Sequence, residues 1–198
     1  MNQGLCVVVT GSSGTGKTSV VNRLIKEFPA SARLITTTSR SPRPNEVDGQ
    51  DYNFVSRDHF ERLVQNGELL EWEEIYGNLY GSERRMLEQM LNNHPVVFTT
   101  LDVRGAKTYQ KEVPQVITIA MFVPPEQIPG RILNRGAIDS IELEKRIEAV
   151  TDEQNEIGVF DFIVENLDGQ LDSSTVPHCK KYILEELQKR GIKLPSLD

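Results

Sequence analysis

Eight residues constrain this chain more than any others. Gly11-Ser12-Ser13-Gly14-Thr15-Gly16-Lys17-Thr18 fits the pattern G-x-x-x-x-G-K-[ST]. It follows Leu5 to Thr10, a short apolar and β-branched run. It precedes Val20, Val21, Leu24, Ile25 and Phe28, which recur at helical spacing. Strand, glycine-rich turn and helix are the context in which this pattern holds phosphate, and that context separates it from a mere glycine turn. The glycines let the backbone wrap an anion, so that successive N–H groups and the helix N-terminus face the negative charge. Lys17 is placed to reach the β/γ-phosphates, and the Thr18 hydroxyl to ligate Mg²⁺. Gly11, Ser12, Ser13, Gly14, Thr15, Gly16, Lys17 and Thr18 are therefore the expected triphosphate-binding residues.

The rest of the chain extends this beginning into an α/β fold. Val96 to Leu101, Val116 to Val123 and Phe160 to Val164 read as buried strands, separated by helical patterns such as Leu143, Ile147, Val150 and Ile157. That alternation predicts a parallel core sheet covered by helices. Val176, Cys179, Ile183 and Leu187 share one helical face and predict a closing helix on the sheet. Thr36 to Gly81 has a different texture: it is polar, holds Pro42, Pro44, Gly49, Gly67 and Gly77, and carries six of the thirteen aromatics. It reads as an inserted substrate-binding lobe.

Charge and composition narrow the partners. A formal net charge of -7 argues against nucleic acid, whose backbone is held by clustered Lys and Arg. No window approaches the ~20 apolar residues of a membrane span. The N-terminus lacks the basic and apolar regions of a signal peptide, which points to the cytoplasm. Cys6 and Cys179 have no metal-ligand spacing and read as small core residues. An anionic ligand must then be held by local arginines.

Such arginines occur in Thr36-Thr-Thr-Ser-Arg40-Ser-Pro-Arg43-Pro-Asn-Glu-Val-Asp-Gly-Gln-Asp-Tyr52, followed by Glu71-Trp72 and Gly77-Asn-Leu-Tyr80-Gly-Ser82. Together with the cradle, these motifs resemble the guanylate kinase family, from the strand before Gly11 to about Asn166. The resemblance implies a P-loop kinase that moves a phosphoryl group from ATP to GMP with Mg²⁺. It divides the chain into a core (about 1–34, 91–123 and 159–198), a GMP-binding lobe (about 35–90) and a lid (about 124–158). It implies that Arg40, Arg43, Tyr52 and Tyr80 hold the acceptor's phosphate. It sets Glu71 against the guanine edge, with Thr36, Ser82 and Asp102 completing the base contacts. Arg forks and phenolic hydroxyls suit a phosphate dianion. A carboxylate accepts from guanine N1–H and the exocyclic amine, donors that adenine does not offer there. The active unit is a monomer or a homodimer.

Pro124-Pro125 followed by Arg131-Ile-Leu-Asn-Arg135-Gly136 and Arg146 resembles the family's lid. Lys17, Arg40, Arg131, Arg135 and Arg146 are then the residues expected to neutralise the moving phosphoryl group. Ordinary i, i+4 salt bridging is the alternative for Arg131 and Arg135. The chain departs from the family pattern in several places. Thr100-Leu101-Asp102 replaces Asp-x-Asp, and Arg104 stands where glutamine is usual. Pro129 falls in the expected lid helix, and Asn166 sits one place later than the family's asparagine. Two other functions remain open at this stage: a guanylate-kinase-like module that binds partners without transferring phosphate, and a related kinase with another acceptor.

Overall fold

The computed structural model describes residues 4–12, 14–44, 46–75, 77–133 and 140–195, without side chains at 140–142, 145 and 146. The central strand is β1 (Leu5–Thr10), buried along its whole length. Its neighbours are β7 (Val96–Thr100) and β8 (Val116–Phe122). Beyond these lie β2 (Ala32–Arg33) and β9 (Phe162–Glu165), giving the order β2-β7-β1-β8-β9. Every pairing is parallel. Both faces are covered, so the strands are continuous apolar runs rather than alternating ones.

Period-two geometry divides the core. Leu5, Val7 and Val9 pack with Val20, Val21 and Leu24 of α1 (Lys17–Glu27) and with Cys179, Ile183 and Leu187 of α7 (Val176–Arg190). Cys6 and Val8 point the other way, onto Leu87 and Leu91 of α3 (Arg84–Asn93) and Ala106 and Tyr109 of α4 (Val103–Glu112). All four residues expected on one face of the last helix are buried there, and both cysteines are free core residues.

Residues between β2 and α3 build a second sheet in the order β4-β3-β6-β5, from β3 (Thr37–Thr38), β4 (Asn53–Phe54), β5 (Leu69–Ile75) and β6 (Asn78–Glu83). Helix α2 (Arg57–Gln65) closes it, burying Phe60 and Leu63 against Leu69 and Leu79. The Ser56 side chain caps this helix by accepting from the His59 amide. The β5–β6 hairpin sets Glu71 opposite Ser82 and Glu73 opposite Tyr80.

Three details differ from the sequence expectations or refine them. The last strand begins at Phe162 rather than Phe160, because Ile157–Val159 form a 3₁₀ turn closed by the Phe160 amide on the Ile157 carbonyl. Ile157 lies in that turn, outside α6 (Ser140–Asn155). Pro129 is the second residue of α5 (Ile128–Leu133), in the first turn, where proline is tolerated. Helices α5 and α6 share a small core of Val123, Ile128, Ile132 and Val150. Among the described residues no helix is long and apolar enough to cross a membrane.

Candidate nucleotide-binding and acceptor site

The carboxyl ends of β1, β7, β8 and β9 converge, and the strand order turns back at β1, so the crevice beyond it is where an open α/β sheet receives ligands. The loop after β1 is fitted tightly into this end. Gly11 has φ 131°, and a Cβ there would stand 2.8 Å from the Met121 carbonyl oxygen of β8. At Gly16 (φ 88°) a Cβ would collide with the Asn166 side-chain amide. Both positions exclude a side chain, which is why the motif needs glycine there.

Side chains then lock the loop. Thr15 Oγ1 donates to the Ser12 carbonyl (2.8 Å), and Ser12 Oγ donates to the Val150 carbonyl of α6 (3.2 Å). Asn166 Nδ2 donates to the Thr15 carbonyl (2.8 Å), while Asn166 Oδ1 accepts from Thr175 Oγ1 (3.0 Å). The asparagine that sequence alone set one place out of pattern is thus packed beneath the cradle. Lys17 Nζ donates to the Gly11 carbonyl and to the Ser12 carbonyl (3.0 Å), so it lies over the loop it is expected to serve. Thr18 is exposed in the first turn of α1. Glu153 of α6 faces the same loop. Burial raises its pKa, against the pull of the Ser12 hydroxyl and the Lys17 charge. Nothing in the sequence marked Glu153, because only the docking of α6 on Ser12 brings it there.

The expected phosphate-holding residues divide. Arg40 lies 5.5 Å from the Tyr52 ring centre and 5.7 Å from that of Phe54, and Tyr52 meets Tyr80 edge-on at 5.9 Å. Arg40, Tyr52 and Tyr80 therefore form one cluster. The Arg43 side chain is exposed, and its backbone amide, not its guanidinium, reaches the cluster by donating to Glu46 Oε2 (2.7 Å). Glu46 Oε1 accepts from Arg40 Nη2 (2.9 Å), with both side chains less than a fifth exposed. Burial raises the Glu46 pKa, but the Arg43 amide and the Arg40 guanidinium together hold it below the usual carboxylate range. Glu46 lay within the quoted motif without a role. Its value is visible only once the loop folds its carboxylate onto both arginines.

The base-edge candidates also come together in part. Ser82 Oγ donates to Glu71 Oε1 (2.6 Å), and Asp102 caps α4 by accepting from the Gly105 amide (2.7 Å). Burial pushes the Glu71 carboxyl up to about 7, with the Ser82 hydrogen bond opposing and the Asp102 charge adding to the rise. Glu73 is raised by its hydrogen bond to Asp102 and by burial, while Arg104 (3.0 Å) pulls it down. The unusual Arg104 therefore has a definite partner. Thr36 pairs through its backbone, its carbonyl accepting from the Asn53 amide, and no hydrogen bond joins its hydroxyl to Glu71. The Thr10 hydroxyl donates to the Asp102 carbonyl (2.9 Å), which ties this pocket to the strand that carries the cradle.

Arg131 Nη2 donates to the Asn166 carbonyl (2.6 Å) and to Gln127 Oε1 (3.1 Å), and it pairs with Asp168 Oδ1 (2.8 Å). Its charged partner is not an acid one helical turn away but Asp168, in the loop after β9. Ser13, Arg135 and the Arg146 side chain lie outside the described residues.

A parallel sheet whose central strand feeds a glycine cradle, with a lysine at the head of the following helix, defines a P-loop α/β protein. A guanylate kinase family model matches residues 3–186. The chain is 36% identical to the guanylate kinase of Thiobacillus denitrificans over 166 residues, covering 83% of this chain and 79% of that one. It is also 36% identical to the guanylate kinase of Corynebacterium jeikeium over 171 residues, covering 85% and 91%. The crystal structure of guanylate kinase from Anaplasma phagocytophilum shares the fold, with a TM-score of 0.71 at 24% identity over 98% of this chain and 89% of that one. The chain belongs to the guanylate kinase family.

Proposed function

We propose that this chain transfers the γ-phosphoryl group of ATP to GMP, giving ADP and GDP. The observation that carries this reading is the Glu71 carboxyl, half-buried against the start of α4 and bonded to Ser82 on one oxygen. A buried carboxyl without a bound partner is costly, and guanine supplies two N–H donors in the spacing of its two oxygens. In this reading residues 35–90 are the acceptor lobe, 124–158 the lid and the remainder the core. Arg40, Tyr52 and Tyr80 hold the acceptor's phosphate with Arg43, while Glu71, Ser82, Asp102 and Thr36 frame the base. Gly11 to Thr18 hold the triphosphate. Lys17, Arg131, Arg135 and Arg146 neutralise charge as the phosphoryl group moves, so transfer rests on positioning and charge rather than on a dedicated base.

Mg²⁺ fits this arrangement through the nucleotide. Among the described residues no three or more His, Cys, Asp or Glu side chains cluster to hold a metal. Mg²⁺ at a triphosphate instead takes phosphate oxygens, waters and one protein hydroxyl, a role for which Thr18 is exposed at the head of α1. The metal would supply charge neutralisation across the phosphates.

The test is ADP release from ATP and Mg²⁺ with GMP, AMP, UMP and CMP offered separately. GMP-selective turnover is the expected result. Turnover with none of them, or equally with AMP, would overturn the proposal. A second expectation concerns Glu46. Removing it leaves the sheltered Arg40 guanidinium and the Arg43 amide without the carboxylate that orients both. A charge-assisted hydrogen bond is worth roughly 1.5–3 kcal/mol, so Glu46→Ala should raise KM for GMP about tenfold or more while leaving KM for ATP unchanged. Steady-state kinetics in both substrates checks this, and an unchanged KM for GMP would show that Glu46 is not an organiser of the acceptor site.

A further inference from the structure

Arg104 stands in the first turn of α4, two residues past the Asp102 cap. The positive end of the helix dipole lies there and favours carboxylates over cations, so an arginine at this place calls for a reason. Its guanidinium supplies one. Although the side chain is 84% exposed, Nη1 reaches across to β5 and donates to Glu73 Oε1 (3.0 Å), on a side chain only 28% exposed. The pair joins the core to the sheet of the acceptor lobe. Side chains alternate along a strand, so Glu71 and Glu73 share one face of β5, and the register adds their partners Ser82 and Tyr80 of β6 to it. Tyr80 belongs to the cluster of Arg40 and Tyr52, so Glu73 lies on the wall between the base-edge carboxyl and the phosphate cluster. From the α4 side, a Cβ at Gly105 would stand 3.1 Å from Glu71 Oε2 and 3.4 Å from Asp102 Oδ1. Glu71, Glu73 and Asp102 therefore converge on the first turn of α4, and Arg104 brings this acidic group a cation.

We infer that Arg104 is a positioning residue for acceptor binding: by pairing with Glu73 across the seam between acceptor lobe and core, it cancels a charge that would otherwise repel the anionic acceptor. The inference rests on the proposed GMP kinase reading and deepens it. A nucleoside monophosphate brings its own phosphate charge to the cluster of Arg40, Tyr52 and Tyr80. Left bare, the Glu73 carboxylate opposite Tyr80 would face that phosphate on one side and Asp102 on the other. Repulsion between like charges would weaken acceptor binding and loosen the docking of β5 on α4. With Arg104 in place the pair is neutral. Arg104 acts on the acceptor only through Glu73, so its contribution belongs to acceptor affinity and not to the transfer step.

The test is GMP binding by calorimetry to the full chain as wild type, Arg104→Gln, Glu73→Gln and the double variant, at about 0.01 M and about 1 M salt, where charges are screened over roughly 30 and 3 Å. Glu73 is raised to about 7 by its hydrogen bond to Asp102 and by burial, so binding is measured at pH 8.5, where it is ionised. Relative to wild type in the same salt, Arg104→Gln should weaken GMP about fivefold at low salt and less than about twofold at high salt. Kd for ATP and kcat stay near wild type. Glu73→Gln removes the charge that needs cancelling and leaves an exposed Arg104 to water, so its Kd for GMP should rise less than about twofold or fall. In that background Arg104→Gln should have no further effect. A merely structural ion pair would not give this asymmetry, because breaking it from either side costs alike. Arg104 is mostly exposed, so its glutamine variant keeps the fold, which a thermal melt checks. An unchanged Kd for GMP in Arg104→Gln at low salt would overturn the inference, as would an equal loss from Glu73→Gln or an undiminished loss from Arg104→Gln once Glu73 is gone. If wild type itself shows no selectivity for GMP over AMP, the function reading falls and takes this inference with it. Selective wild type beside a silent Arg104→Gln removes only the inference.

Discussion

Lys17→Ala is expected to reduce kcat for ADP formation by at least about 10²–10³, the loss typical of removing one preorganised charge from a transition state. The lysine ammonium rests on the Gly11 and Ser12 carbonyls, at the lip of the loop that would enclose the β- and γ-phosphates. Exchanging these carbonyls for phosphate oxygens leaves its charge at the loop, already in place when ATP arrives. Alanine removes the charge but no buried apolar surface, and the melting temperature should therefore move little. The check is a coupled ADP-release assay at saturating ATP and GMP beside a thermal melt. A kcat within threefold of wild type, in a protein that melts normally, would show that phosphate transfer does not pass through this cradle.

Glu71→Gln is expected to lower kcat/KM for GMP by roughly 10⁴, approaching the discrimination that a buried hydrogen-bonding site achieves. Glutamine keeps the shape but replaces one acceptor with an NH₂ that confronts the guanine amine, so a donor meets a donor. The pH dependence carries the same information with a definite sign. Burial raises Glu71 from 4.5 to about 7, and guanine needs the carboxylate form. Wild-type kcat/KM for GMP should therefore fall as pH drops below about 7, approaching tenfold per unit. In Glu71→Gln only the titration of the acceptor's own phosphate, with a pKa near 6, should remain. Stability runs the opposite way. A carboxyl that binds its proton more tightly folded than unfolded adds stability at low pH, and that contribution is lost as pH rises from about 4.5 to 7. At pH 8 the Gln variant should thus melt a few degrees higher than wild type while being nearly inactive with GMP. An acidic limb that survives unchanged in Glu71→Gln would assign it to another group.

The cradle was legible in the sequence because every one of its requirements is local. Gly11 and Gly16 have positive φ, and Lys17 and Thr18 open the helix that follows directly. The parallel core was legible for a related reason: strands buried on both faces must be mainly apolar, and β1, β7 and β8 are, with threonine their only polar residue. Strand ends were less so. Whether Phe160 begins a strand or closes a turn depends on a hydrogen bond to Ile157 that leaves no compositional trace.

What the sequence could not express was which side chains share a charge. Glu46 is an unremarkable acid in a polar loop until it bonds Arg40 and the Arg43 amide at once. Arg131 looks like a free lid cation until the loop after β9 offers the Asn166 carbonyl and Asp168. Glu153 and Asn166 are brought to the site by packing between elements distant in the chain. By itself the sequence determined the class of ligand and the architecture around it, since phosphate wrapping and double-sided burial are written in consecutive residues. The tertiary structure alone decided the protonation of Glu71, the counter-charge on Arg40 and the support beneath the cradle, because solvation and Coulomb energy depend on distances that the chain sets only by folding.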